Sequence, residues 1–325
     1  MGELNRATRG GVGAAVIGLA LVALALTAGW TSGAAYDSRL ASSGCAGTCA
    51  SSAEAAVHAP GTANLDSIVP TPQATLPAGF PYVSAYSVSI VESACGAPIY
   101  GRNEHLRMPP ASLTKLMTAA VASDHAAFDT MITTNVDGAK LYDDTGSTIM
   151  GLKPGMQLSL LDLLYGLLLP SGNDAAIAIA EGVGGTQEQF VEMMNEKVQS
   201  LALPDTHFTN PHGLYENDLY SSAYDMAMLA RYVMQNPTLR QIVSAMSWQP
   251  KWDGPPVWNG NRFITDYPGA DGVKIGYTEQ SQQTIVASAT HDGRRIIVSL
   301  MRSQDRYTDA ERLMDWAFAQ PSPCP

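Results

Sequence analysis

The rhythm of apolar side chains changes three times along this chain, and each rhythm predicts a different kind of structure. From Gly10 through Tyr36 no charged side chain interrupts a run built around GVGAAVIGLALVALALTAGW, 27 residues in all. A helix of that length, at about 1.5 Å per residue, reaches across a hydrocarbon layer of roughly 30 Å, and the run has no polar face to solvate. Arg6 and Arg9 precede it, which by the positive-inside rule holds the N-terminus in the cytoplasm and sends the rest outward. Residues 1–35 therefore read as an export segment. It is either cleaved near the small residues Ser32, Gly33, Ala34 and Ala35 or kept as a membrane anchor, and its length favours the anchor. Residues 36–79 are rich in Ala, Ser, Gly, Thr and Pro with no sustained apolar period. Such a composition buries too little surface to offset ordering entropy, so this stretch is expected to be a flexible linker.

Beyond Tyr82 the pattern becomes that of a packed domain, expected over residues 80–320, with 321–325 as a short tail. VSAYSVSIVES alternates, a turn falls around Ala94 to Ala97, and PIYGR follows, predicting two antiparallel strands. Pro109 and Pro110 then punctuate the chain, and Leu113, Leu116, Met117, Ala120 and Val121 repeat at helical spacing, placing Ser112 at or near a helix N-terminus. Ser159, with Asp162 three residues on, starts a second helix that Pro170 stops. Asn173 or Asp174 is the expected cap of the next helix, AAIAIAEGV, which runs out at Gly182, Gly184 and Gly185. FVEMMNEKVQSLAL and SAYDMAMLARYVMQ read as two further amphipathic helices. QTIVASAT and RIIVSLMR, joined by His291-Asp292-Gly293-Arg294, predict a hairpin, and TDAERLMDWAFAQ a closing helix. Strands at both ends with helices between them predict an α+β domain, an antiparallel sheet flanked by helices, rather than alternating parallel units.

Charge and composition narrow the function. Nineteen Lys and Arg against thirty Asp and Glu give a net charge of −11, which repels phosphate backbones and argues against nucleic acid as a partner. Four Cys are too few for a disulfide scaffold: Cys45 and Cys49 sit in the linker, Cys95 and Cys324 in or beside the domain, and the sequence does not pair them. His105, His125, His207, His212 and His291 are scattered without metal-ligand spacing, so neither a metal nor any other cofactor is expected. His212, within Asn-Pro-His-Gly, reads as a loop residue rather than a catalyst. Asp143 and Asp144 read as a surface turn, and Lys153-Pro154-Gly155 as another.

Three short motifs carry chemistry. Ser112 and Lys115 are three apart on a helix, so both side chains project from one face. A serine hydroxyl attacks only when something takes its proton, and a lysine does so when burial or nearby positive potential lowers its pKa. Serine and lysine at this spacing also decorate ordinary solvated helices. Ser171-Gly172-Asn173 lies in the tight connection between two apolar helices, where a hydroxyl and an amide can face a cleft together. The same residues are equally good turn and capping chemistry. Lys274-Ile275-Gly276 precedes the terminal hairpin, a cation beside a glycine that suits an edge strand against which a substrate lies.

Taken together and in this order, PASLTKLMTA, LLPSGNDAAIAIAE, THFTNPHGL and GVKIGYT resemble the D-alanyl-D-alanine carboxypeptidases, low-molecular-mass penicillin-binding proteins of the S11 serine peptidase family. The resemblance covers residues 80 to 318 and implies a β-lactamase/transpeptidase-like fold in which a helical cluster carries the SxN loop. It implies Ser112 as nucleophile, Lys115 as base and Ser171 as proton relay. It further implies backbone N–H groups of Ser112 and Tyr277 as an oxyanion hole, and Asn173, Lys274, Gly276 and Thr278 as substrate contacts. Arg302 resembles an arginine that the family places near the substrate carboxylate. The implied partners are the peptidoglycan stem peptide and acylating β-lactams, with the membrane joined through the N-terminal helix if that is uncleaved, and the implied location is extracytoplasmic. One departure stands out: Ile275 occupies the position where the family carries threonine, removing a hydroxyl that binds the terminal carboxylate. Two alternatives follow. One is a serine β-lactamase, for which Gly172 in the SxN triplet and the lack of a candidate deacylating glutamate are unfavourable; the other is a wall-binding protein catalytically weakened at Ile275.

Overall fold

The computed structural model describes residues 76–325. The expected export segment and nearly all of the linker, with Cys45 and Cys49, lie outside the described residues. Among the described residues no helix is long and apolar enough to cross a membrane.

β1 (Ser87–Glu92) and β2 (Pro98–Arg102) form the first hairpin. A 3-10 turn at Ala111–Thr114 runs directly into α1 (Lys115–His125). β3 (Met131–Thr133) pairs with β4 (Gln157–Ser159) around α2 (Gly138–Thr145). Five helices follow: α3 (Leu160–Leu168), α4 (Asn173–Gly184), α5 (Gln187–Ser200), α6 (Ala223–Gln235) and α7 (Pro237–Ser244). A small ribbon of β5 (Ser247–Trp248) and β6 (Val257–Trp258) and a single turn, α8 (Phe263–Asp266), lead to β7 (Ala270–Thr278), β8 (Gln282–His291), β9 (Arg294–Ser303) and α9 (Arg306–Phe318).

The main sheet is antiparallel throughout, in the order β2-β1-β9-β8-β7, so the two ends of the described residues supply its strands and β7 is an edge. Alternation along the central strands buries both faces. Ile90, Ile285, Val298 and Leu300 enter a core closed by Leu313, Met314 and Trp316 of α9, whereas Val91, Val286 and Ile297 enter a larger core shared with the helical cluster α1 and α3–α7. The two-residue Asp292-Gly293 turn has φ of 50° and 81°, the left-handed pair that a tight hairpin of this twist requires. Ser159 and Ser222 cap α3 and α6, their hydroxyls accepting from Asp162 N and Asp225 N at 3.1 Å each.

Two expectations are corrected, and one open pairing is supplied. The cap of α4 is Gly172, not Asn173 or Asp174, because both side chains are drawn into other bonds described below. Asp143 and Asp144 belong to α2 rather than to a turn; Asp137 caps that helix through Lys140 N at 3.0 Å, and Lys140 pairs with Asp144 one turn on. The pairing that sequence left open is Cys95–Cys324, which ties the β1–β2 turn to the end of the chain. Lys153-Pro154-Gly155 is the turn expected, with Gly155 at φ 84°.

Candidate active site

The three motifs meet in one cleft of about 680 Å³ between the edge strand β7 and the helical cluster. Ser112, Ser171, Asn173, Lys274, Gly276, Tyr277 and Thr278 all line it. Lys115 lies beneath its floor, fully buried.

Ser112 sits in the 3-10 turn that opens α1, following Ala111 at φ 52°. This kink lets the hydroxyl face the cleft while Lys115, one turn on, reaches back beneath it, with Nζ 3.1 Å from Ser112 Oγ. Lys115 Nζ also donates to Asn173 Oδ1 and to the His212 carbonyl, at 2.6 Å each. Burial holds the Lys115 amine well below its usual pKa, the charge of Lys274 lowers it further, and Asp174 opposes both. A neutral amine has two N–H donors and one lone pair. Once the amine is neutral, the two carbonyls can take both donors and the remaining lone pair can face Ser112 Oγ.

Lys274 is buried and donates to the Ile275 carbonyl at 3.0 Å. Burial, aided by the charge of Arg306, lowers its pKa to about 7. Gly276 fixes how closely β7 approaches the nucleophile: a Cβ there would lie 2.9 Å from Ser112 N and 2.6 Å from Thr284 Oγ1. As the outer strand, β7 offers unpaired backbone groups toward the cleft. Ser171 is held at φ 67°, and its Oγ is buried without a hydrogen-bond partner. Thr148 Oγ1 donates to Ser171 O at 2.7 Å and Asn173 N donates to Thr148 O at 2.8 Å, clasping the SxN turn to the opposite wall.

The sequence profile of the D-alanyl-D-alanine carboxypeptidase family, peptidase S11, matches residues 73–305. The chain belongs to that family. It is 33% identical to D-alanyl-D-alanine carboxypeptidase DacF of Bacillus subtilis over 247 residues, covering 73% of this chain and 62% of DacF. It is 36% identical to DacD of Escherichia coli over 249 residues, covering 73% of this chain and 63% of DacD. The chain thus spans less than two thirds of the length of these relatives. The crystal structure of the Streptomyces K15 DD-transpeptidase superposes with a TM-score of 0.70 at 27% identity, covering 74% of this chain and 99% of that one. The β-lactamase/transpeptidase-like fold expected from the motifs is the fold observed.

One residue carried over by resemblance to the S11 family does not reach the cleft. Arg302 is exposed on β9 and is absent from the cleft lining, which holds Arg306 instead. The reason is a β-bulge: Ile285 pairs with Leu300 but Gln283 with Ser303, so Met301 and Arg302 together face Thr284. Arg302 takes up φ 56° there. Arg306, at the start of α9, crosses the sheet and donates to the carbonyls of Gly276 and Thr284 at 2.6 and 3.1 Å. Sequence reading also missed the His212 carbonyl, the Thr148 clasp and Asp174, since a backbone acceptor or a loop-anchoring carboxylate leaves no spacing to detect. His212 lies in a loop, as expected, and lines the cleft, where burial, and next the Lys115 charge, lower its pKa to about 3.

Proposed function

We propose that this protein is a penicillin-binding serine D-Ala-D-Ala carboxypeptidase that removes the terminal D-alanine from peptidoglycan stem peptides. The observation carrying this reading is the buried Lys115 amine, 3.1 Å from Ser112 Oγ and held there by Asn173 Oδ1 and the His212 carbonyl. In the first step Lys115 takes the Ser112 proton as Oγ bonds to the carbonyl carbon between the two D-alanines. The N–H groups of Ser112 and Tyr277 stabilise the oxyanion. Collapse breaks the C–N bond, and the proton passes from Lys115 through Ser171 to the departing amine. Water, deprotonated by the same lysine, then releases the acyl chain from Ser112. Asn173 holds the peptide amide, while Lys274, Thr278 and Arg306 face the terminal carboxylate, Arg306 taking the part first assigned to Arg302. Ile275 removes one hydroxyl from this carboxylate site without touching the nucleophile or its base, so the reading is of an active enzyme with a weakened carboxylate grip.

The chain acts outside the cytoplasm, held at the membrane by its N-terminal apolar segment. The Cys95–Cys324 bond supports this location, since such cross-links persist in oxidising compartments. A second reading, transfer of the acyl group to an amine in place of water, is favoured by the likeness to a DD-transpeptidase.

Labelled penicillin tests the proposal: covalent label should map to Ser112, persist, and vanish in Ser112→Ala. Label on another residue refutes it, and rapid turnover of the penicillin identifies a β-lactamase instead. Adding an amine acceptor during acyl release from peptide substrate separates transfer from hydrolysis.

A further inference from the structure

We propose that Asp174 is a positioning residue of this active site, clamping the cleft wall at 148–152 so that Ser171 is held in its relay conformation. Asp174 is fully buried at the start of α4, beside Asn173. Its Oδ1 accepts from Met150 N at 2.8 Å and Ala175 N at 2.9 Å, and its Oδ2 from Gly151 N at 2.8 Å and Leu152 N at 2.9 Å. Four backbone donors on one carboxylate are far more than helix capping needs, and three of them come from a segment more than twenty residues away. That segment continues backward into the wall: Thr145, Gly146, Ser147 and Thr148 line the cleft. Gly138 gives the carboxylate room, since a Cβ there would stand 2.7 Å from Asp174 Oδ2.

The clamp is coupled to chemistry along a continuous path. Fixing Met150, Gly151 and Leu152 fixes Thr148, which donates to Ser171 O and accepts from Asn173 N. Ser171 makes no side-chain hydrogen bond of its own, so its left-handed backbone and this contact set where its hydroxyl sits. Asn173 in turn accepts from Lys115. Asp174 also acts on Lys115 through charge. The groups facing that amine are Lys274 on β7, which lowers its proton affinity, Asp174 on α4, which raises it, and His212, uncharged at its lowered pKa. Replacing the carboxylate by an amide both breaks the clamp and deletes the one negative charge in this set. An amide of the same shape must turn an N–H toward backbone donors, leaving a buried clash of like groups.

The inference rests on the proposed acylation of Ser112, and its test has an arm that needs no substrate. In Asp174→Asn, amide hydrogen exchange at 148–152 should accelerate relative to wild type. Penicillin acylation should fall by about tenfold to hundredfold, as expected when a catalytic group is misplaced by around an ångström. The acid limb of the acylation–pH profile should move to lower pH, because Lys115 without Asp174 binds its proton less tightly. A merely structural role lowers the rate without moving that limb. Thr148→Val covers the case in which Asp174→Asn does not fold: it keeps the charge, cuts only the link to Ser171, and should slow acylation with the limb at its wild-type pH. Wild-type exchange and acylation in Asp174→Asn, or wild-type acylation in Thr148→Val, overturns the proposal. Failure of the wild-type protein to take label overturns the function instead, and the exchange arm still reads the clamp.

Discussion

Replacing Gly276 by Ala tests how tightly the edge strand and the nucleophile turn are fitted. The added Cβ would lie 2.9 Å from Ser112 N, 2.6 Å from Thr284 Oγ1 and 3.1 Å from Ala111 Cβ, where ordinary contact begins at 3.4 Å. The strand or the turn must therefore give way by 0.3 to 0.8 Å, and the obstacles include a backbone nitrogen that no rotamer change can move. Gly276 is not in the left-handed region, so backbone strain adds nothing and the effect is one of packing. Overpacking of this size destabilises by about 1–3 kcal/mol, which a domain with two buried cores survives. The catalytic effect should be larger, because the displaced atoms are the Ser112 N–H and the β7 backbone, which the proposed mechanism uses to stabilise the oxyanion. A shift approaching 1 Å corresponds to a loss of up to about a hundredfold in rate. The assay is the second-order rate of penicillin acylation, with urea unfolding measured in parallel. Gly276→Ala should lower acylation by about tenfold to hundredfold while the cooperative unfolding transition remains. Acylation within about twofold of wild type would show that the seam is loose and that the oxyanion site does not depend on it.

Other expectations follow from the same geometry. Lys274 must be charged to meet a carboxylate and its pKa is lowered to about 7, so kcat/KM for a carboxylate-terminated peptide should fall as pH rises through about 7; a flat profile to pH 9 contradicts this. Because the unfolded chain binds that proton more tightly than the folded one, the Lys274 contribution to stability should rise with pH between about 7 and 10.5, and Lys274→Met should flatten that rise in urea melts. Ile275→Thr restores a hydroxyl beside the proposed carboxylate site and should lower KM for D-Ala-D-Ala peptides by about tenfold to hundredfold, the scale of one hydrogen bond to a charged group; an unchanged KM means that Thr278 and Arg306 already suffice. The Cys95–Cys324 bond closes 229 residues, for which chain entropy gives about 5 kcal/mol as an upper figure and a typical disulfide contributes about 2–4. Cys95→Ala with Cys324→Ala should lower the urea midpoint without changing acylation of the folded protein, and an unaltered midpoint refutes the cross-link's role.

Residues with strong periodicity announced their elements. The alternation of β1, β8 and β9, the Asp292-Gly293 turn and the Ser159 cap follow from local rules that tertiary packing did not override. What stayed hidden was short or conditional. α2 begins at a glycine and exposes most of its surface, so it has little apolar period to detect, and β3 and β4 are three residues each. The site was legible where a motif brought its own spacing, as with Ser112 and Lys115. It was illegible where position depends on a distant irregularity: the bulge opposite Thr284 turns Arg302 outward and leaves the cleft to Arg306, and no pattern in β9 signals it. Asp174 was misread for a related reason, since its partners lie on a loop that becomes adjacent only after α3 and α4 pack together.

The most direct measurement is release of free D-alanine from a peptide ending in Lys-D-Ala-D-Ala by the full chain. The wild-type protein should liberate one D-alanine per peptide, and Ser112→Ala and Lys115→Ala should liberate none above the uncatalysed rate, although both variants remain folded. Release that survives Ser112→Ala, or a wild-type protein that binds the peptide and leaves both D-alanines in place, contradicts the account.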